Sequence, residues 1–141
     1  MKVYFEKVVV PCVMDDVIAW HAAHGWVWDI VEVSSGRRVG VYYCTLLCGD
    51  GAIVHFSTVP GMCIPWVTTL SAMRKGIRMV SGSVNVVFAT IAEEEFGLMR
   101  CAYRLGFRET GVNYLRDGKK IVLLQYFGRE KRYINAETGN H

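Results

Sequence analysis

The sequence of 141 residues predicts an α/β (α+β) fold, with a mixed, mostly antiparallel central sheet and helices on both faces. Two glycine-centred turns, Gly49-Asp50-Gly51 and Asp117-Gly118, each join two apolar runs, which is typical of antiparallel hairpins. Between them the hydrophobic pattern changes from strand-like alternation to a helical period and back, which predicts a strand–helix–strand unit over Ala52–Ala89. Such a unit makes its two strands parallel through a right-handed crossover. The sequence therefore predicts both kinds of strand pairing.

The N-terminal part of the chain is predicted to alternate between strands and one short helix. Val3–Val10 is rich in β-branched and aromatic residues, and Pro11 ends this strand. Asp15 or Asp16 is expected to cap a helix over Val17–His24, which Gly25 closes. The next three strands are predicted at Trp26–Val33, Val39–Cys48 and Ala52–Val59.

The long central helix is predicted over Pro65–Val80, because apolar residues recur there at every third or fourth position. The recurring residues are Trp66, Leu70, Met73, Ile77 and Val80. Pro65 is tolerated near the first turn, where its missing N–H is not needed. The following strand, Val84–Ala89, is apolar enough to be buried on both faces.

A last helix is predicted over Thr90–Leu105. Thr90 and Glu93 have the spacing of a capping box, and Glu94 and Glu95 would also place negative charge in the first turn. Phe96, Met99 and Tyr103 follow at helical spacing as its apolar stripe. Gly106 is expected to end the helix at positive φ, and the strands Phe107–Leu115 and Lys120–Phe127 follow as a hairpin.

Composition indicates one globular domain over residues 1–127, followed by a polar tail over residues 128–141. The sequence is 52% hydrophobic and carries a net charge of +3 without a dense basic face, so nucleic acid is not an expected partner. The longest apolar runs are too short to cross a membrane, and charged residues interrupt any signal-peptide pattern, which predicts a cytoplasmic protein.

The five cysteines are expected to be reduced and mostly buried, since their number is odd and no CxxC pair occurs. His21 and His24 have the spacing of metal ligands on a helix, but no third ligand is evident near them. No metal site is therefore predicted.

The end of the last helix, Leu105-Gly106-Phe107, resembles the last helix of the GNAT superfamily of N-acetyltransferases. The predicted element order is also similar to the GNAT fold, except that one of the two helices usual between its first two strands is absent. The resemblance implies a single GNAT-like domain that transfers an acetyl group from acetyl-CoA to an amine by direct attack on the thioester.

In the GNAT family, the turn into the central helix carries Gln or Arg, then Gly, then Gly or Ala, and its backbone N–H groups hold the pyrophosphate of acetyl-CoA. Here that stretch is Val59–Trp66, with one glycine, no Gln or Arg, and a proline where an amide donor is wanted. The resemblance thus implies a degenerate member with a degraded motif. The residues expected to contact acetyl-CoA are Val59, Gly61, Met62, Cys63, Ile64 and Trp66.

The resemblance also suggests two catalytic residues. A general base is usually reached from the fourth strand, where His55 could serve, the alternative being a buried structural histidine. The family's general acid is a Tyr four residues before the Gly, but that position is Ala102 here. Tyr103, one position further on, is the local substitute, and the alternative is a core aromatic on the apolar stripe.

A second interpretation is a non-catalytic GNAT-fold protein with a binding or structural role. Compact, degenerate versions of this fold look similar to products of bacteriophage genomes, where a virion or host-interaction role and a location in the host cytoplasm or virion would follow. The four tryptophans, three of them around one short helix, suggest a patch that faces a substrate or a protein partner. The partner is thus an amine-bearing substrate or a protein, and the oligomeric state stays open.

Overall fold

The computed structural model describes residues 1–128 of the chain. The predicted polar tail lies outside the described residues except for Gly128. The chain divides into two compact units, Met1–Asn85 and a second that begins at Val86. The single domain predicted over residues 1–127, and the parallel pairing of Ala52–Val59 with Val84–Ala89, stay predictions.

The first unit contains an antiparallel sheet in which consecutive strands are neighbours, β1-β2-β3-β4. Its strands are β1 (Val3–Lys7), β2 (Gly25–Glu32), β3 (Arg38–Leu47) and β4 (Gly51–Thr58), and its helices are α1 (Asp16–Ala23) and α2 (Trp66–Ser81). The predicted hairpin is confirmed, because Gly49 and Asp50 both adopt positive φ in the turn that joins β3 to β4.

The two helices of the first unit cover opposite faces of its sheet. On one face, Ile18 of α1 packs with Val41 and Tyr43 in a buried cluster. Because neighbouring residues of a strand point to opposite faces, Tyr42 lies on the other side. There its hydroxyl donates a hydrogen bond of 2.8 Å to the carbonyl of Gly76 on α2. The prediction of helices on both faces is confirmed within this unit.

The second unit is a three-stranded antiparallel sheet with one helix. Its elements are β5 (Val86–Ala92), α3 (Phe96–Leu105), β6 (Phe107–Tyr114) and β7 (Lys120–Tyr126). The central strand, β7, pairs with β5 on one side and with β6 on the other. Gly106 has a φ of 109° at the end of α3, as predicted. The turn at Gly118, with a φ of 86°, confirms the second hairpin.

The capping box predicted at Thr90 is wrong, because Thr90 lies within β5 and α3 begins only at Phe96. Thr90 and its neighbours pair with the apolar strand β7, which outweighs the local capping signal. The glutamates are not in the first turn of α3. Glu93, which precedes the helix in the sequence, instead forms an ion pair of 2.6 Å with Lys120.

The predicted apolar stripes are also partly wrong. Trp66 is 49% exposed and Phe96 is 73% exposed, although both match the helical period. The buried residues of α2 are Thr68, Ala72, Met73, Gly76, Ile77 and Val80. Small residues dominate part of this face because the helix lies close to the ring of Tyr42, where only Gly76 fits.

Two further predictions need correction. The first strand ends at Lys7 rather than Val10, and Val9 and Val10 are exposed. Cys44 and Cys101 are buried, but Cys12, Cys48 and Cys63 are exposed, so the thiols are not mostly buried. All five, which lie within the described part of the chain, are free thiols. None of the helices described is long and apolar enough to span a membrane.

Candidate functional site

A cluster of polar aromatic side chains lies on the α1 face of the first unit's sheet. His55 on β4 is the register partner of Tyr43 on β3, and their rings stack at 5.0 Å between centroids with 19° between planes. His21 on α1 lies 4.6 Å from the ring of His55 and 5.3 Å from that of Tyr43. We call His21, Tyr43, Thr45 and His55 the histidine cluster.

The sequence places His21 over the sheet through the start of α1. Asp15 caps the helix, since its carboxylate accepts a hydrogen bond of 2.8 Å from the backbone N–H of Ile18. Ile18 is buried against the sheet, and His21 lies three residues further on, on the same side of the helix. Nδ1 of His21 and Oγ1 of Thr45 share a hydrogen bond, which fixes the imidazole relative to β3.

The other histidine of α1 does not join this cluster. His24 stacks on the ring of Trp20 at 4.2 Å, and its Nδ1 donates a hydrogen bond of 2.7 Å to the carbonyl of Trp20. Within the described part of the chain, no group of three or more His, Cys, Asp or Glu side chains could hold a metal ion. The two histidines of α1 therefore have different surroundings despite their metal-like spacing.

Both imidazoles of the cluster favour the neutral form. Burial, and then the proximity of His21, lowers the pKa of His55 to about 4. Burial also lowers the pKa of His21, with a further contribution from His24. Nε2 of His55 is buried and has no hydrogen-bond partner among the described residues. At neutral pH, His55 is therefore an uncharged imidazole with one nitrogen uncommitted.

The cluster also contains a hydroxyl that stays protonated. Burial raises the pKa of Tyr43, although a hydrogen bond with Ser57 opposes this shift. Ser57 lies on β4 two residues after His55, so it points to the same face of the sheet. Tyr43 thus supplies a ring for His55 to stack on and takes no charge itself near neutral pH.

A shallow, largely open cleft of about 280 Å³ lies beside the cluster, and its lining residues, Asp16, Val17, Trp20 and His21, all belong to α1. Trp20 is 54% exposed there, so its ring remains accessible. His21 is the one residue that both lines this cleft and contacts His55, among the contacts that the structure describes. The cleft brings together a carboxylate, an aromatic ring and an imidazole.

The stretch predicted to bind acetyl-CoA forms the turn between β4 and α2. Met62 donates its backbone N–H to the carbonyl of Val59 at 3.0 Å, and Gly61 has a φ of 80°. A side chain at Gly61 would meet nothing within 4 Å, so the space beside this glycine is open. Ile64 instead lines a small apolar cavity of about 40 Å³ under α2.

The start of α2 adds an electrostatic feature to this turn. Pro65 occupies the N-cap and provides no side-chain hydrogen bond, and the first turn carries no acidic residue. The first turn of a helix has amides without acceptors inside the helix, and its dipole favours anions. The turn therefore fits an anionic group such as a phosphate, although Pro65 removes one donor.

Tyr103, the candidate acid, belongs to the second unit, whereas His55 belongs to the first. Its hydroxyl donates a hydrogen bond of 2.5 Å to the carboxylate of Glu109 on β6, and this bond raises the pKa of Tyr103. The alternative that Tyr103 is a core aromatic is wrong, because its side chain is only partly buried and turns towards Glu109. Its role as an acid stays a prediction.

Sequence reasoning missed His21 and Tyr43 as neighbours of His55, and it missed Thr45 as the hydrogen-bond partner of His21. The hairpin register could have placed Tyr43 opposite His55, because the turn at Gly49 fixes which residues face each other. Nothing local to α1 indicates which strand His21 would contact. That contact depends on how the helix packs on the sheet.

A scan against protein-family models finds no match for this sequence, and a search of curated proteins finds none either. Solved structures give clear matches. An IAA acetyltransferase from Bacillus cereus has a TM-score of 0.73 and 11% identity, over 89% of this chain and 99% of that chain. A Bacillus subtilis acetyltransferase in complex with CoA has a TM-score of 0.72 and 9% identity, over 89% of this chain and 98% of that chain.

A third match is a GNAT family acetyltransferase from Elizabethkingia anophelis with acetyl-CoA bound, with a TM-score of 0.71 and 9% identity over 89% of this chain and 96% of that chain. Identities this low establish the fold and nothing finer. The chain has the GNAT fold: seven mostly antiparallel strands and three helices in its described part, as the sequence predicts.

Proposed function

We propose that this protein is an N-acetyltransferase that transfers the acetyl group of acetyl-CoA to an amine. The observation that carries the proposal is a structural match: this chain matches two acetyltransferases, solved with acetyl-CoA or CoA bound, over almost their full length. Fold alone does not fix function. The proposal therefore also rests on the chemistry of two sites in this chain, the turn before α2 and the histidine cluster.

The turn before α2 is proposed to hold the anionic part of acetyl-CoA. Open space at Gly61 and an uncapped helix N-terminus without acidic residues support this assignment. The residues that would contact it are Val59, Gly61, Met62, Cys63, Ile64 and Trp66. Acetyl-CoA, when bound, supplies a thioester that an amine nitrogen can attack.

His55 is proposed as the general base. A protonated amine has no lone pair for attack, so a neutral acceptor must first take its proton. His55 is neutral at pH 7, and its Nε2 has no hydrogen-bond partner among the described residues. Tyr103 is proposed as the acid that protonates the departing thiolate; for this step its hydroxyl would give the thiolate the proton that it donates to Glu109 in the structure.

Acetyl-CoA binding tests the proposal directly. Added in excess, acetyl-CoA is expected to raise the melting temperature, since a ligand that binds only the native state stabilises it by mass action. Val67 is 67% exposed in the first turn of α2. Val67→Asp should reduce the shift, because its carboxylate repels phosphate, while it interacts favourably with the helix dipole in the free protein.

The matched control is Ser71→Asp, at an exposed position of the same helix beyond its first turn. This variant should respond to acetyl-CoA like the wild type. Turnover is then measured as thiol release from acetyl-CoA with a panel of simple primary amines and diamines. No thermal shift at millimolar acetyl-CoA would favour the non-catalytic alternative, a GNAT-fold binding or structural protein.

A further inference from the structure

We propose that the solvent-facing side of α1 is an interface between two copies of this chain, which pack α1 against α1 in antiparallel fashion about a twofold axis at Trp20. The exposed residues on that side are Asp16, Val17, Trp20, Ala23 and His24, and we call them the outer stripe. This inference goes beyond the proposed function and does not depend on it, because it assigns a surface and its partner rather than a step of catalysis.

The first observation is that α1 is apolar on both of its sides. Six of its eight residues are Val, Ile, Ala or Trp. Ile18 is buried against the sheet, and Trp20 lies on nearly the opposite side, since each residue turns the helix by roughly 100°. Trp20 is nevertheless 54% exposed, and Val17 is 59% exposed. A helix that is hydrophobic all round is normally buried, so the outer stripe is a surface that another surface would cover.

The apolar surface extends beyond α1 into the segment that precedes it. Val8 and Val13 pack on the same buried cluster as Ile18, so this segment belongs to the same layer over the sheet. Its exposed large apolar residues are Val9, Val10 and Met14. The layer is therefore apolar towards the sheet and largely apolar towards solvent, which gives a partner lying on α1 further contact area.

The charges of this layer decide between possible partners. No Lys or Arg occurs from residue 8 to residue 36, and the outer stripe begins with Asp16 next to Asp15. An anionic membrane surface attracts basic residues and does not fit this pattern. A second copy of the chain does fit, because the stripe has a carboxylate at one end and an imidazole at the other. Antiparallel packing brings Asp16 of each copy to His24 of the other.

The spacing of the outer stripe suits a twofold axis at Trp20. Asp16 and His24 are each four residues from Trp20, so both lie about one turn away from it, roughly 6 Å along the helix. In a twofold pair, a residue on the axis meets its own copy, and the residues on either side exchange partners. Trp20 therefore packs on Trp20 of the second copy, and the small side chain of Ala23 lets the two helices approach closely.

His24 is held in an orientation that suits this contact. Its ring stacks on the ring of Trp20 at 4.2 Å between centroids, and its Nδ1 donates a hydrogen bond of 2.7 Å to the carbonyl of Trp20. Nε2 is thus the nitrogen that would face the carboxylate of Asp16 in the second copy. The two rings together form one exposed aromatic surface at the centre of the proposed interface.

The association state of the full-length protein tests the interface. Sedimentation velocity over a range of protein concentrations should show a monomer–dimer equilibrium with a dissociation constant in the roughly micromolar range. Trp20→Lys removes the central ring and places two like charges together on the axis. It should weaken association roughly 30-fold or more, the effect of losing an interface hot spot. Thermal melting checks that the variant is folded.

The matched control is Phe96→Lys, at another exposed aromatic residue, on α3 of the second unit. This variant should dimerise like the wild type. A protein that stays monomeric at all concentrations would overturn the proposal. A dimer that Phe96→Lys weakens and Trp20→Lys does not would overturn it as well, since the interface would then lie elsewhere.

Exchange of charges tests the antiparallel arrangement. His24→Lys places a permanent cation opposite Asp16 of the second copy and should tighten association several-fold, whereas His24→Asp should weaken it because two carboxylates then face each other. The double variant Asp16→Lys/His24→Asp reverses both charges and should associate more tightly than His24→Asp alone. If the double variant did not recover, this packing of the two helices would be wrong.

Cross-linking tests which residues meet. In His24→Lys, a carbodiimide should join the introduced amine to the carboxylate of Asp16 in the second copy, forming an amide while the reagent takes up the water as a urea. The two positions are roughly 12 Å apart along one helix, too far for such a link within one copy. Mass spectrometry of mixed labelled and unlabelled protein should find the mixed peptide. A dimer without this link would place its interface on another surface and overturn the proposal.

Discussion

At the scale of single residues, Gly106 has two separate reasons to be glycine. Its φ of 109° is strained for any residue with a Cβ, and a Cβ there would lie 2.7 Å from the carbonyl carbon of Gly128. Gly106→Val is therefore expected to lower the free energy of unfolding by roughly 1–2 kcal/mol or more. Chemical denaturation measures this loss.

The control for Gly106 is Gly118, which also has positive φ but where a Cβ would meet no other atom within 4 Å. Gly118→Val carries the backbone strain without the steric contact, so it should destabilise the protein less than Gly106→Val does. Equal losses for the two variants would mean that the contact with Gly128 has no energetic weight.

His55 should make the free energy of unfolding depend on pH below neutrality. Its pKa falls from 6.5 to about 4 on folding, so the unfolded chain binds more protons between these values. The free energy of unfolding should therefore decrease as the pH falls from 6.5 towards 4, by on the order of 3 kcal/mol in total. This contribution is fully present above the unfolded pKa and is lost progressively below it.

Urea denaturation between pH 7 and pH 4 tests this expectation. His55→Phe keeps a ring that can stack on Tyr43 and removes the titrating group, so its stability should vary less over this range. An unchanged slope in His55→Phe would assign the acid sensitivity to other groups.

At the scale of secondary-structure elements, the fit of α2 on the sheet depends on Gly76. A Cβ at this position would lie 2.8 Å from Cζ of Tyr42, whose hydroxyl also donates to the carbonyl of Gly76. The ring or the helix backbone would have to move, so Gly76→Ala should destabilise the protein by about 1–3 kcal/mol despite the better helix propensity of alanine.

Gly82 provides the comparison on the same helix. It has an ordinary helical conformation and ample space, with its nearest neighbour 3.9 Å away. Gly82→Ala should be neutral or slightly stabilising, because alanine reduces the freedom of the unfolded chain. Thermal melting compares the two variants. A smaller loss of melting temperature in Gly76→Ala than in Gly82→Ala would contradict this account of α2 packing.

At the scale of the whole molecule, the two units are each held by hairpin-rich antiparallel pairing. The predicted parallel pairing of β4 with β5 would join them, because a strand–helix–strand connection through α2 favours that arrangement. Nuclear Overhauser contacts between backbone protons of the two strands are the expected result. Their absence in the folded protein would remove this part of the sequence-based fold prediction.

The sequence by itself determined the features that depend on local chemistry. One of the two predicted aspartates, Asp15, caps α1, the turns at Gly49 and Gly118 form hairpins, and Gly106 ends α3 in the left-handed region. Each depends on interactions within a few residues, so the pattern alone contains the necessary information. The order of strands and helices follows from these signals, and with it the resemblance to the GNAT fold.

Only the tertiary structure decided which residues meet across elements. Thr90 has a capping pattern but pairs with β7, and Phe96 matches the apolar stripe yet is exposed. The contact of His21 with His55 likewise depends on how α1 packs on the sheet. Strand pairing and helix packing bury surface that local propensity does not encode, so they override weak local signals and assemble the candidate site.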